Sequence, residues 1–123
     1  MRVLHHLEQS RSFRILWAME ELGLDYEVQY YQRQPNLSAP PALKQIHPLG
    51  KAPILTDQEQ VLAESAAILE YLQESYDEQQ QFRPEDPADK AQYRYWMHYA
   101  EGSLMPLLVM QLVMTTVPKH TPL

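Results

Sequence analysis

The 123-residue chain contains no cysteine. Disulfides, thiolate metal sites, cysteine nucleophiles and CxxC redox chemistry are therefore excluded, and any thiol chemistry has to use a ligand's sulfur. Basic clusters are equally scarce. Ten Lys and Arg stand against sixteen Asp and Glu, a formal net charge of -6, with only the short Arg11, Arg14 pair concentrating positive charge. No nucleic-acid partner is expected. No run reaches the unbroken apolar length of a membrane helix, and the opening Met1-Arg2-Val3-Leu4 lacks the apolar segment of a signal peptide. The expectation is a cytoplasmic protein without a membrane partner. There is no internal repeat and no sustained low-complexity segment. The hydrophobic share of 45% suits a folded domain, or one compact domain plus part of another.

The most informative stretch spans residues 49–65. Gly50 allows a turn that a side chain would obstruct, and Pro53 fixes φ and removes one N–H where the apolar run Ile54-Leu55 begins. That suits the start of a strand. A cis bond after Ala52, which X-Pro sequences tolerate, would turn the N–H and C=O of Ala52 outward to pair with an extended ligand. Residues 56–60 (Thr-Asp-Gln-Glu-Gln) read as a turn, Val61-Leu62 as a second strand, and Glu64-Ser65 as a helix start. The first N–H groups of a helix lack intrahelical partners and carry partial positive charge, so Ser65 is a candidate seat for a carboxylate. Together these residues read as a receptor for a peptide-like anion.

In chain order, residues 2–7 predict a strand in which the adjacent His5 and His6 face opposite ways, so they cannot share a metal, and both read as structural. Polar residues 8–12 precede a helical pattern through Phe13, Leu16 and Trp17 that stops at Gly23. Trp17 and Trp96 read as core or interface material. Residues 25–31 predict a second strand, 42–46 a short helix ended by His47-Pro48, and 65–76 a helix facing the sheet with Ile68, Leu69, Tyr71 and Leu72. The order βαβ, short helix, ββα gives a small mixed four-stranded sheet with helices. Residues 77–87 read as a linker by composition. From residue 88 one long helix is predicted, with an apolar stripe through Trp96, Tyr99, Leu104, Leu107, Leu108 and Leu112 and a bend or freed carbonyl caused by Pro106. The tail at residues 117–123, with Pro118 and Pro122, carries no helical signal. His98 and Glu101, one turn apart, read as surface residues, and no metal is expected. The uncovered stripe predicts a covering partner, a homodimer, or a chain that is part of a longer protein.

Three segments then carry a resemblance: Ser-Arg-Ser-Phe-Arg-Ile-Leu-Trp-Ala-Met-Glu-Glu-Leu-Gly-Leu at 10–24, Pro-Leu-Gly-Lys-Ala-Pro-Ile-Leu at 48–55 and Glu-Ser-Ala-Ala-Ile-Leu-Glu-Tyr-Leu at 64–72. In order and spacing they resemble the thioredoxin-like N-terminal domain of glutathione S-transferases. The resemblance implies an α/β fold: a thioredoxin-like βαβ-α-ββα domain at residues 1–76, a linker at 77–87, and the start of a truncated all-helical domain at 88–123. It implies that glutathione is a co-substrate, bound by Ala52 main chain, a cis Pro53, Glu64 and Ser65 at the γ-glutamyl end, and Lys51 near the glycyl carboxylate. A hydroxyl after the first strand is implied to support the glutathione thiolate, with Ser10 in the matching place and Ser12 as its competitor. Two functions follow from the resemblance: a transferase whose bound thiolate attacks a small electrophile or a peroxide in detoxification, or a non-catalytic glutathione-binding or regulatory module of the same fold. An asparagine is commoner in the family where this chain has His47.

Overall fold

A computed structural model of the chain describes residues 1–117; the reading of Pro118 and Pro122 lies outside the described residues. The chain divides into two compact units, Met1–Phe82 and Arg83–Leu123. In the first, β1 (Arg2–Leu7), α1 (Ser12–Glu21), β2 (Glu27–Tyr31), α2 (Ala42–Ile46), β3 (Ile54–Asp57), β4 (Gln60–Ala63) and α3 (Ser65–Tyr76) follow one another. The sheet order is β2-β1-β3-β4, with β1 parallel to β2 and antiparallel to β3, and β3 antiparallel to β4. This is the expected thioredoxin-like arrangement.

Strand alternation builds the core. Leu4 lies opposite Leu55, and Leu55 opposite Leu62. Leu4 and Leu55 pack with Ile15 and Met19 of α1 and Ile68 and Leu72 of α3, all fully buried. Burying each such side chain contributes about 1.5–3 kcal/mol. Leu69 and Tyr71 flank this cluster, as α3's periodicity predicts. On α1 the buried stripe is Ser12, Ile15 and Met19, whereas Phe13 and Trp17 are each 64% exposed. Trp17 is thus no core residue; its indole N–H donates to Glu21 Oε1 at 3.0 Å.

The end of α1 follows from one residue. Gly23 takes φ +64°, and with it Gly23 N–H donates to Glu20 O and Leu24 N–H to Met19 O, both at 3.0 Å. That pair of bonds is a Schellman closure, and it returns Leu24 to the core.

The β3–β4 hairpin is tighter than its composition suggests. Thr56, Asp57 and Gln60 are strand residues, Asp57 pairs with Gln60, and only Gln58 and Glu59 turn. The reason is visible at Asp57, 3% exposed. Its Oδ2 accepts the Tyr71 hydroxyl at 3.0 Å and also the Tyr76 hydroxyl. Arg2 completes the group: its Nε lies 3.8 Å from Asp57 Oδ2, and its guanidinium sits 4.3 Å from the Tyr76 ring centroid. A polar residue that reads as turn is thereby held inside, where it ties β1, β3 and α3 together.

Asp77 opens the segment that reads as a linker. It is buried and accepts Gln81 N–H at 2.8 Å and Phe82 N–H at 2.9 Å. In the second unit, α4 (Pro87–Tyr99) starts at an Asp86 cap that accepts Ala88 N–H at 2.9 Å, with Pro87 in the first turn. A π-helical segment (Ala100–Leu104) then leads into α5 (Met105–Thr116). Met105 N–H bonds Ala100 O, five residues back. Pro106 has no N–H to continue the α ladder, and the helix widens just before it, so a π turn stands where the pattern predicts a bend. The stripe residues Trp96, Leu107 and Leu112 are 58%, 71% and 67% exposed. Among the described residues no helix is long and apolar enough to cross a membrane.

The Asp57 group generates a stability prediction. Asp57→Ala leaves two tyrosine hydroxyls without their acceptor and the Arg2 guanidinium without its counter-charge, and urea unfolding is expected to show a loss of about 3 kcal/mol. Burial first, then bonding to Tyr76 and Asp57, pushes Tyr71 from 10.0 up to about 12. A raised phenol pKa stabilises the fold fully below pH 10.0, and that contribution is lost as pH climbs toward about 12. The alkaline decline is therefore predicted to be shallower in Asp57→Ala than in the unmutated chain; equal declines would show that Asp57 does not govern it.

Candidate functional site

The sheet register gathers the candidate residues at one end. His5 lies opposite Ile54, and Ile54 opposite Ala63. Just beyond this row, β1 runs on toward Ser10, β3 is preceded by Ala52 and Pro53, and β4 passes into Glu64 and Ser65. Because β2 is parallel to β1, the loop after Tyr31 leaves from the same end.

The approach to β3 is a built turn. Gly50 has φ +59°, and a Cβ placed on it would lie 2.4 Å from Lys44 Cγ, so glycine is required both by conformation and by space. His47 does the work of an asparagine there: its Nδ1 accepts Leu49 N–H at 3.2 Å while its carbonyl accepts Gly50 N–H at 2.9 Å. Lys51 is exposed, Ala52 half-buried and Pro53 buried. The Ala52–Pro53 peptide bond is cis. No backbone hydrogen bond joins Ala52 to another described residue.

At the end of β4, Glu64 takes φ +71° and ψ 117°, a conformation rare outside glycine. Its carbonyl accepts the first helical bond of α3, from Ile68 N–H at 2.9 Å, and its side chain is exposed. Ser65 is buried, 4% exposed. Non-glycine strain of this kind costs about 1–3 kcal/mol and concentrates at ligand clamps.

The loop between β1 and α1 holds both candidate hydroxyls. Ser10 is half-buried and Ser12 fully buried. Ser10 Oγ lies 2.8 Å from Leu7 O and 2.6 Å from Ser12 Oγ, and accepts Ser12 N–H at 3.1 Å. Ser12 Oγ lies 2.8 Å from His6 Nδ1 and 3.2 Å from Leu7 O. Ser10 is thus the more accessible hydroxyl and Ser12 supports it from beneath.

Two contributors were not legible as site residues. Arg33, after β2, donates from Nε to Glu8 O at 3.2 Å, from Nη2 to Gln9 O at 2.9 Å and from Nη1 to Leu37 O at 2.8 Å, while its N–H bonds Glu8 Oε1 at 3.1 Å. It pins the loop that carries Ser10, and a lone arginine in a polar loop gives no sign of this. His6 reads as structural, yet its ring reaches Ser12. Its neighbour His5 faces the other way, as strand parity requires. There Nδ1 lies 2.9 Å from the Tyr31 hydroxyl, and burial lowers the pKa of His5 from 6.5.

Known proteins share this architecture. The family described as glutathione S-transferase, N-terminal domain, matches residues 1–74. Glutathione S-transferase 3 of Schizosaccharomyces pombe is 44% identical over 123 residues, 100% of this chain and 50% of that protein. A crystal structure of a glutathione S-transferase from Actinobacillus pleuropneumoniae is 48% identical with a TM-score of 0.75, over 78% of this chain and 46% of that one. A glutathione transferase homologue from Sulfitobacter, crystallised with bound glutathione, is 26% identical with a TM-score of 0.73, over 83% of this chain and 49% of that one. The chain spans about half the length of the curated relatives it matches. With its sheet, its cis-proline turn and its match across residues 1–74, the chain belongs to the glutathione S-transferase family.

Proposed function

We propose that this chain binds glutathione at the end of the sheet and activates its thiol for attack on a small electrophile or a peroxide. The observation that carries the reading is the register row His5–Ile54–Ala63, which collects Ser10, Ala52–Pro53 and Glu64–Ser65 at one edge. In this reading the main chain of Ala52, beside cis Pro53, pairs with the cysteinyl unit. Glu64 meets the γ-glutamyl ammonium, Ser65 at the head of α3 meets its carboxylate, and exposed Lys51 approaches the glycyl carboxylate. The relative crystallised with glutathione supports the choice of ligand.

The chemistry asked of Ser10 is modest. A free thiol has a pKa near 8.5 and is mostly protonated at neutral pH. A hydroxyl donor to the thiolate contributes about 1.5–3 kcal/mol, one to two decades in thiolate population. With an electrophile the thiolate then forms the new S–C bond as the leaving group departs with its electron pair; with a peroxide it forms an S–O bond as the O–O bond breaks and the other oxygen leaves with the pair. A cytosolic setting, where glutathione dominates the thiol pool, suits this co-substrate. Association into a homodimer is part of the same reading, supported by the exposed Leu107, Leu108 and Leu112.

One observation favours the non-catalytic alternative: Leu7 O stands 2.8 Å from Ser10 Oγ and can hold its only proton. Titrating the ultraviolet absorbance of the bound thiolate against pH separates the two. Ser10→Ala is expected to raise the pKa of bound glutathione by about one unit, since Ser10 gives up Leu7 O to reach the sulfur. An unshifted thiol in the unmutated chain would leave only the binding module standing. Glu64 offers a second check. Glu64→Gly removes the strain at φ +71° and the carboxylate together, so it is expected to stabilise the fold by about 1 kcal/mol while weakening glutathione binding severalfold. Weaker binding without the gain in stability would mean that the backbone there is unstrained.

A further inference from the structure

Ser10 has one hydroxyl proton and three neighbours that bear on it: Leu7 O at 2.8 Å, Ser12 Oγ at 2.6 Å and the Ser12 N–H at 3.1 Å. Ser12 also has one proton, with His6 Nδ1 at 2.8 Å and Leu7 O at 3.2 Å. The 2.6 Å approach of the two hydroxyls needs a hydrogen from one of them. Which serine supplies it is decided by His6. A bare Nδ1 takes the proton of Ser12, so Ser10 must donate to Ser12 and has nothing left for a ligand. An Nδ1 that carries the ring hydrogen donates to Ser12 Oγ instead. Ser12 then donates to Ser10, and Ser10, accepting both the N–H and the hydroxyl of Ser12, keeps its own proton to give.

We infer that His6, as the Nδ1–H tautomer, and Ser12 are positioning residues that turn the Ser10 proton toward the sulfur of glutathione; this rests on the glutathione reading above. Neither residue touches the sulfur. The geometry is suited to the task. His6 is fixed by β1, and its ring packs edge-on against Tyr30 at a centroid distance of 5.7 Å. Ser12 is fully buried, so its hydroxyl has no water to exchange partners with. Each donor in the chain His6, Ser12, Ser10 polarises the next, which strengthens the bond that the last one offers.

The test uses the whole chain with two ligands: glutathione, for the pKa of the bound thiol, and S-methylglutathione, which has no thiol to ionise, for affinity. Ser12→Ala is expected to raise the bound thiol's pKa by about half a unit to one unit, a threefold to tenfold loss of thiolate. Its affinity for S-methylglutathione should change less than about twofold, because an uncharged thioether accepts the Ser10 proton only weakly. In the Ser10→Ala background the same change should add nothing. His6→Leu should behave as Ser12→Ala, and His6→Asn, whose amide N–H can stand in for Nδ1–H, should restore the shift. Nitrogen NMR of the His6 ring in the unmutated complex should find hydrogen on Nδ1. A bare Nδ1, a thiol pKa in Ser12→Ala equal to that of the unmutated chain, or an equal rise from Ser12→Ala without Ser10 each overturns the relay alone, and the NMR result decides should a variant fail to fold. No binding of S-methylglutathione by the unmutated chain overturns the glutathione reading and the relay together.

Discussion

The pairing of β1 with β3 decides where the rest of the first unit goes. A strand's side chains alternate with a period of two, so a slip of one residue would carry Leu4 and Leu55 out of the core together. Their contact with Ile15, Met19, Ile68 and Leu72 therefore pins the register. Because the pair is antiparallel, that same register sets the end of β1 beside the start of β3, and β4, antiparallel again, delivers its own end to the same edge. Apolar burial in the middle of the sheet thus determines which polar groups meet at its rim, although none of those groups contributes to the burial.

The rim is assembled from departures from regular structure. Gly50 and Glu64 have positive φ, and Ala52 precedes a cis bond. Each places backbone or side chain where a continuing strand or helix would not. The loops around them are held by local, polar contacts. Lys44 packs over Gly50, His47 closes the turn before it, and Arg33 ties the carbonyls of Glu8 and Gln9 to that of Leu37. Three guanidinium bonds to neutral carbonyls are worth perceptible order even at a half-exposed position, since the planar fork loses little freedom per bond formed.

Legibility in the sequence followed the range of the interaction that decides each feature. Local rules sufficed for the α1 stop at Gly23, for the bounds of α2 and α3, and for the cis-proline turn, because each depends on residues within a few positions. The hairpin was harder. Thr56, Asp57 and Gln60 look like turn residues, and only the hydroxyls of Tyr71 and Tyr76, fourteen and more residues away, make a buried Asp57 tolerable. On α1, Phe13 and Trp17 outrank Ser12 in hydrophobicity and yet stay exposed, because His6 and Leu7 O satisfy the Ser12 hydroxyl inside and the buried face shifts accordingly. The π segment was half legible, since Pro106 announces a defect and leaves its form open. At the site, the difference in burial between Ser10 and Ser12 has no local sign, and Arg33 and His6 carry no local mark at all.

The engagement of Ser10 with Leu7 O does not oppose the activation proposed for it. A half-buried hydroxyl without an acceptor would incur an unmade hydrogen bond whenever the site stood empty, at a cost of about 1–3 kcal/mol. Leu7 O removes that cost, yet as a neutral acceptor it returns only about 0.5–1.5 kcal/mol, whereas a thiolate offers about 1.5–3. In the proposed mechanism, exchange of the Ser10 proton from carbonyl to sulfur is therefore downhill by roughly 1 kcal/mol. The carbonyl that gives up Ser10 is not stranded, because water can reach a half-exposed loop. A carboxylate in place of Leu7 O would have held the proton as tightly as the sulfur does, and the difference on which thiolate formation depends would have vanished.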